Sequence, residues 1–469
     1  MIFDGDNENE FDSYDKAERK ARKAYELYEN GKMKQALAAL DGAIEINPSS
    51  GSLHFNKALT LDAVERFEEA IAEYETALEY NPVDLEILNS LAVDYTRTGQ
   101  YDLAVSTFEQ IEQIDPQFEP CYCNRIITYT EMGLHEQAEQ MFYLAQQIKP
   151  SCALCYYNIG NSLFARGQYQ KAISCWLKTA QIEPTHPQIN YRIAQACWSL
   201  GRNDTARQYF LSEIRNNPSD IEVIFDFGLF LLHSGDVESA KEKFNRILEF
   251  EPDFAAAYFY LGEIAFNSGD LQNASQMFHK AVELDDMLVG PRYRLAQQAL
   301  LDDKKTDART LLVSEMKLAL EDAETLVSMG SMFLSAGDTG CATHCLLRAI
   351  EAEPTGADAY YFLALTSVER GELREAAELF AHCLDIKSDH IAALRDSACL
   401  YFAMGRLDQA DENIAKAHKL AGDEPLIKSI RRRIKLVRHL EKIGDFLSRA
   451  GIRSVSRFVS YLKKSTLRK

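Results

Sequence analysis

Proline recurs along this chain with a spacing that few folds can accommodate. Pro48, Pro82, Pro116, Pro150, Pro184, Pro218 and Pro252 stand 34 residues apart, and Pro354 follows after three further periods. A fixed period of this length means one small supersecondary unit copied in tandem. A single copy cannot bury its own apolar face, so copies must stack. The several globular domains that 469 residues would ordinarily suggest are therefore not expected. Numbering from Ala17, twelve repeats of 34 residues run without a gap from 17 to 424.

Other columns keep the same register. Position 20 is alanine in all twelve repeats, from Ala36, Ala70 and Ala104 to Ala376 and Ala410. Position 15 is glycine in ten, and position 8 is alanine or glycine in eleven, with Ile126 the exception. Position 24 is large and apolar throughout, as in Phe108, Phe142, Trp176, Phe210 and Phe244. On both sides of the glycine, apolar residues return at three- and four-residue spacing, which predicts two helices per repeat. Glycine ends the first helix because it takes positive φ without steric cost. Proline near position 32 stops the second. Small residues at positions 8 and 20 let paired helices approach closely, and the bulky position 24 fills the space between them.

Small residues at 8 and 20, a bulky residue at 24 and proline at 32 resemble the tetratricopeptide repeat (TPR) family, and the resemblance covers residues 17–424. It implies an all-α, right-handed α-solenoid of about twelve 34-residue helix-turn-helix repeats, with the first helix of every pair lining a concave face. Repeat 9 (289–322) diverges: Asp303 stands where glycine belongs and Leu320 where proline belongs, which reads either as a weak point where the array bends or as ordinary drift in one repeat.

The ends differ from the repeats, as solenoid caps must. Residues 1–16 carry six acidic groups and one basic, and are expected to be a disordered tail. Residues 425–469 are expected to form basic amphipathic capping helices. Ile427, Ile430, Ile434 and Val437 make the first apolar stripe, and Val455, Phe458, Val459 and Leu462 a second. This segment holds fourteen Lys and Arg against Glu441 and Asp445, a net +12, which leaves −32 for the rest of a chain whose total is −20. The opening MIFDGDNENEFDSYD has no basic stretch followed by an apolar core, so it is no secretory signal. No apolar run approaches the roughly 20 residues that span a bilayer. A cytoplasmic protein is expected, with its ten cysteines as thiols.

No motif proposes a reaction. The chain has no HExxH, no GxSxG, no GxxxxGK[ST] and no GxGxxG, and its ten histidines are scattered. An enzyme and a small-molecule substrate are not expected, nor is a catalytic domain expected from the 45 residues given beyond the repeats. Cys121, Cys123, Cys152 and Cys155 form the one grouping with metal-ligand character. They read CYC and CALC at the starts of adjacent repeats, and four converging thiols suit tetrahedral zinc. Cysteine at position 3 also packs well as a small buried residue. Packing is the reading adopted, so no metal and no cofactor are expected.

Function is expected on the concave face. Asn56, Asn124 and Asn158 occupy position 6, Asn89 position 5 and Asn161 position 9. An amide side chain offers both donor and acceptor, which suits the backbone of an extended peptide. Arg192 faces the same groove, with Tyr157, Tyr191 and Trp198 for apolar contact. The alternative is that asparagine at position 6 is only a packing preference of the family. Family members that clamp acidic chaperone tails carry Lys and Asn at set positions, and no three consecutive repeats here reproduce that set. The chain thus reads as a scaffold or adaptor holding a protein or extended peptide. The competing reading is a tether docking its basic C-terminal helices on anionic membrane or nucleic acid. A third is self-association between that segment and the acidic body.

Overall fold

A computed structural model describes residues 6–318, 322–422 and 424–449, with side chains described from Lys16 to Glu441. All the regular structure among these residues is helical, and it falls two helices to a repeat. The first half of the chain, through Asp236, holds α1 (Asp6–Glu29), α2 (Met33–Ile44), α3 (Gly51–Asp62), α4 (Phe67–Tyr80), α5 (Leu85–Arg97), α6 (Tyr101–Ile114) and α7 (Glu119–Glu131). It continues with α8 (His135–Ile148), α9 (Ala153–Ala165), α10 (Tyr169–Ile182), α11 (Ile189–Ser199), α12 (Asn203–Asn216) and α13 (Ile221–His233). The second half, from Val237, holds α14 (Val237–Phe250), α15 (Ala255–Asn267), α16 (Leu271–Leu284), α17 (Pro291–Leu301), α18 (Lys305–Met316) and α19 (Ala323–Ser335). Then come α20 (Thr339–Ala352), α21 (Ala357–Glu369), α22 (Leu373–Ile386), α23 (Ile391–Ala403), α24 (Leu407–Leu420) and α25 (Pro425–Arg449). Each half is a helical-repeat solenoid in which a helix packs on its own partner and on the next repeat.

The core of every repeat is a small residue set under a large one. All twelve position-20 alanines have 0% exposure. Eleven of the twelve position-24 side chains are fully buried, among them Tyr74, Trp176, Phe210 and Phe278. In repeats 5, 8 and 10 the space the large residue fills is left by the glycine at position 8 of the same repeat. A methyl group on Gly160 would stand 2.5 Å from Trp176 Nε1, and one on Gly262 or Gly330 would stand 2.6 Å from Phe278 or Leu346. Repeat 4 tests this rule from within the chain. Its position 8 is Ile126, which is fully buried, and its position 24 is Phe142, the one member of that column that is not. Phe142 instead turns its ring to Tyr156, centroids 5.3 Å apart. One cavity holds one bulky residue.

Turn chemistry repeats as faithfully. The ten glycines at position 15 all take positive φ, and Glu65 and Asp303, which replace glycine there, are held at φ 61° and 56°. At Gly99 (φ 74°) the next amide, Gln100 N–H, closes on the Tyr95 carbonyl at 2.8 Å, the bond that caps a helix C-terminus. Asp84 starts α5 by accepting from the Glu86 and Ile87 amides. Repeat 9 forms its two helices despite its missing landmarks, with Ala308 and Leu312 buried at positions 20 and 24.

The expected disordered tail does not hold over residues 6–16, which form the start of α1. At the other end α25 lies along α24 and buries Ile427, Ile430, Ile434 and Val437, as a cap. Arg438 of α25 donates to Asp411 at 2.8 Å and to Asp408, so part of the basic segment is neutralised by the acidic body beside it. The second expected helix, around residues 455–462, lies outside the described residues. No helix among the described residues is long and apolar enough to cross a membrane.

One buried acid carries a pH signature. Asp94 is 1% exposed. Burial and the neighbouring Asp62 push its carboxyl up to about 7, against the pull of Arg97, which donates to it at 3.1 Å. The folded state therefore keeps a proton that the unfolded chain releases near pH 4, so this contribution to stability is present below about pH 4 and lost as pH rises to about 7. Asp94→Asn should flatten the fall of the melting temperature between those limits. A profile parallel to the parent's would contradict the assignment. The core rule gives a second expectation: Gly160→Ala should cost about 1–3 kcal/mol through overpacking against Trp176, read by denaturant unfolding, and an unmoved curve would refute the close contact.

Candidate functional site

First helices of consecutive repeats in the first half touch one another directly, α5 on α7 and α7 on α9. Their shared face carries a ladder of side-chain hydrogen bonds from position 5 of one repeat to position 6 of the next, 35 residues on. Asn124 Nδ2 donates to Asn89 Oδ1 at 3.1 Å. Asn158 Nδ2 donates to the Cys123 carbonyl at 2.9 Å. Arg192 Nε donates to Tyr157 Oη at 3.4 Å, and Tyr191 Oη donates to Asp226 at 2.7 Å. In the second half Tyr361 Oη repeats the bond with Asp396 at 2.9 Å. Helical geometry explains the regularity: neighbouring first helices lie side by side, so adjacent positions on facing sides meet at every step.

The ladder sorts the expected site residues. Asn89, Asn124, Tyr157, Arg192 and Trp198 are half-buried on this face. Asn158 and Tyr191 are buried, with their polar groups already bonded inside the fold. The Tyr191 hydroxyl is held well above the ordinary tyrosine range, by burial first and then by its bond to Asp226. Trp198 stands edge-on to Phe230 at 5.7 Å. Asn161 is half-buried, its carbonyl oxygen enclosed without a protein donor. Asn56 lies apart and exposed, at the rim of a cavity of about 140 Å³ lined also by Ala24, Tyr25, Tyr28, Leu40 and Leu59. Sequence reasoning did not single out Gln195, Glu222 or Asp226. Gln195 Nε2 reaches Asp226 at 2.8 Å and Arg192 Nη1 reaches Gln195 at 3.2 Å, so Arg192, Gln195, Asp226 and Tyr191 form one connected polar run. The 35-residue offset was the signal that could have found Asp226.

The cysteine grouping is corrected in membership and in state. Cys121 turns into the core, its thiol donating to the Phe108 carbonyl at 3.3 Å, and is not part of the cluster. Burial pushes that thiol up to about 12. Glu119 takes its place: Glu119, Cys123, Cys152 and Cys155 bring their ligand atoms within 4.8 Å of one another. Cys123 and Cys155, expected as free thiols, are joined in a disulfide across α7 and α9, their Cα atoms 5.1 Å apart. The offset that builds the ladder also brings position 5 of repeat 4 against position 3 of repeat 5, within disulfide reach.

Three family models match the chain: the C-terminal domain of cilia and flagella-associated protein 70 over residues 178–395, the N-terminal TPR repeats region of Psidin over 18–159, and the tetratricopeptide repeat over 153–186. No curated protein matches it. Similar solved structures include a tetratricopeptide repeat protein from Parabacteroides merdae, 17% identical, covering 56% of this chain and 99% of its own, with a TM-score of 0.44. The APC/C hetero-tetramer Cut9–Hcn1 is 12% identical, covering 88% and 95%, with a TM-score of 0.42. Yeast Tom70 is 15% identical, covering 93% and 99%, with a TM-score of 0.37.

The ladder separates residues that hold the fold from residues with capacity to spare. Asn158→Ala removes a buried side-chain bond to a carbonyl that its own helix also satisfies and leaves unfilled space in its place, so it should destabilise by about 1–2 kcal/mol, whereas Asn124→Ala at its half-exposed rung should cost under about 0.5 kcal/mol. Denaturant melts of the two variants check this, and equal losses would contradict the division.

Proposed function

Because this chain belongs to the tetratricopeptide repeat family, we propose that it is a protein-interaction scaffold that holds an extended segment of a partner along the first-helix face of repeats 3–6. The observation that carries this reading is the hydrogen-bonding capacity left over on the ladder. The bond between Asn124 and Asn89 uses one donor of the first and one lone pair of the second, so both amides keep groups for a peptide backbone. Arg192 spends its Nε and one Nη on Tyr157 and Gln195, and a guanidinium has further donors. Tyr157 and Trp198 flank these groups with half-exposed rings. A face of fixed polar groups beside aromatic surface suits a segment recognised by its backbone, because the groups are already positioned and lose little freedom on binding.

The tether reading keeps one observation in its favour. Arg432, Arg433 and Lys435 are exposed on α25, away from the buried isoleucine stripe. The acidic remainder of the chain, at −32, opposes approach to phosphate surfaces.

Peptides selected by the intact chain from a random display library provide the test. Asn124→Ala with Arg192→Ala should weaken the selected peptides at least about tenfold, the loss expected when hydrogen-bonded partners are left unsatisfied. Lys171→Ala with Lys178→Ala, exposed on α10, should change little. Equal loss from both pairs, or none from the first, would contradict the groove. Tight binding to anionic vesicles or nucleic acid at physiological salt, lost on removing residues 425–469, would put the tether in its place.

A further inference from the structure

We propose that Glu119, Cys123, Cys152 and Cys155 are a zinc site of the reduced chain, and that the Cys123–Cys155 disulfide is the oxidised, metal-free form of the same site. The donors come in two pairs from the starts of neighbouring first helices. Glu119 and Cys123 are four residues apart in the first turns of α7, on one side of the helix. Cys152 and Cys155 form a Cys-x-x-Cys step into α9. Among the described residues this is the one such grouping of His, Cys, Asp or Glu.

The distances fit a closed tetrahedral site. Zinc–sulfur bonds of about 2.3 Å put two sulfurs about 3.8 Å apart, and a carboxylate oxygen about 3.5 Å from each sulfur. Cys123 Sγ lies 3.4 Å from Cys152 Sγ, and Glu119 Oε1 lies 2.8 Å from Cys123 Sγ and 3.2 Å from Cys155 Sγ. Breaking the disulfide lets its two sulfurs part, and the observed separations must then open by about 0.3–0.7 Å to reach the zinc-site values. The three cysteines are at most 5% exposed, which excludes the open water position of a catalytic zinc. Ordinary packing accounts poorly for a half-buried carboxylate set against the Cys123 and Cys155 sulfurs, since sulfur is a weak hydrogen-bond partner for a charge. Thiolate-rich sets select zinc over magnesium or calcium.

The surroundings support the charge. One Zn²⁺ with three thiolates and one carboxylate carries a net charge of −2, and Glu119, Cys152 and Cys155 sit at the N-cap or in the first turn of their helices, where the backbone dipole favours negative charge. The Cys155 amide donates to Cys152 Sγ at 3.3 Å, a bond that also orients a thiolate ligand. The chemistry balances. A two-electron reductant, a dithiol in a cell or a phosphine in a test tube, breaks the S–S bond and leaves two thiols. Zinc binding then releases three thiol protons to solvent without changing its own oxidation state. In reverse, a peroxide takes two electrons from Cys123 and Cys155, the S–S bond re-forms, the peroxide ends as water, and the ion is left with two of its four ligands and dissociates. Asn158 holds the Cys123 carbonyl at 2.9 Å, so the switch sits directly behind the ladder.

Elemental analysis of the full chain, reduced with phosphine, given one equivalent of zinc and desalted, should find one zinc per chain, and about a tenth of that or less after peroxide oxidation. Cys152→Ser should lose the metal; serine keeps the N-cap that Cys152 makes, and circular dichroism checks the fold. Cys121→Ser should keep it. Cobalt substitution should give thiolate-to-metal charge-transfer absorption in the parent that Cys152→Ser lacks. A reduced parent without zinc, or Cys152→Ser and Cys121→Ser retaining or losing it alike, would overturn the proposal.

Discussion

The structure depends on one recurrent contact: a small residue at position 8 receiving a large one at position 24, as Gly160 does Trp176, Gly262 does Phe278 and Gly330 does Leu346. Helices brought this close bury the large side chain completely, and a fully buried aromatic or aliphatic side chain contributes about 1.5–3 kcal/mol. No single repeat survives on that, so stability accumulates by stacking. Repeat 4 shows the limit of the contact. With Ile126 filling the pocket, Phe142 moves out to Tyr156, and the helix pair still forms.

Much of this architecture was legible in the sequence because a contact repeated at a fixed interval becomes a column. Pro48, Ala172 and Gly235 each announced a structural role by recurring. Glu65 and Asp303 broke the glycine column yet kept its conformation, because the surrounding helix pairs hold those residues at positive φ. The charge of residues 6–16 suggests a disordered tail, yet they form the start of α1, because charge alone does not oppose a helix that continues backward from a packed one.

The candidate site was legible only in part, for a related reason. Asparagine at position 6 looked like recognition chemistry, but Asn158 spends its amide on Cys123 and Tyr191 its hydroxyl on Asp226, both one repeat away. A column shows which residue type recurs and is silent about what it touches across repeats. The cysteine cluster shows the same gap. Four thiols within one stretch suggested Cys121, whose side chain faces inward on its helix, and passed over Glu119, which stands one turn before Cys123. The same face thus holds the array together and offers its leftover polar groups, and the cluster lies between two of its rungs.

The position 8 and 24 contact is the claim on which the rest stands, and a double-mutant cycle tests it most directly. Combining Gly160→Ala with Trp176→Phe would give repeat 5 the pair that repeat 3 already carries in Ala92 and Phe108. The account predicts strong non-additivity, with the double variant more stable than the sum of the single losses by about 1 kcal/mol or more, within the range known for residues in contact. Strict additivity would mean that the two positions do not meet, and that something other than this contact sets the register.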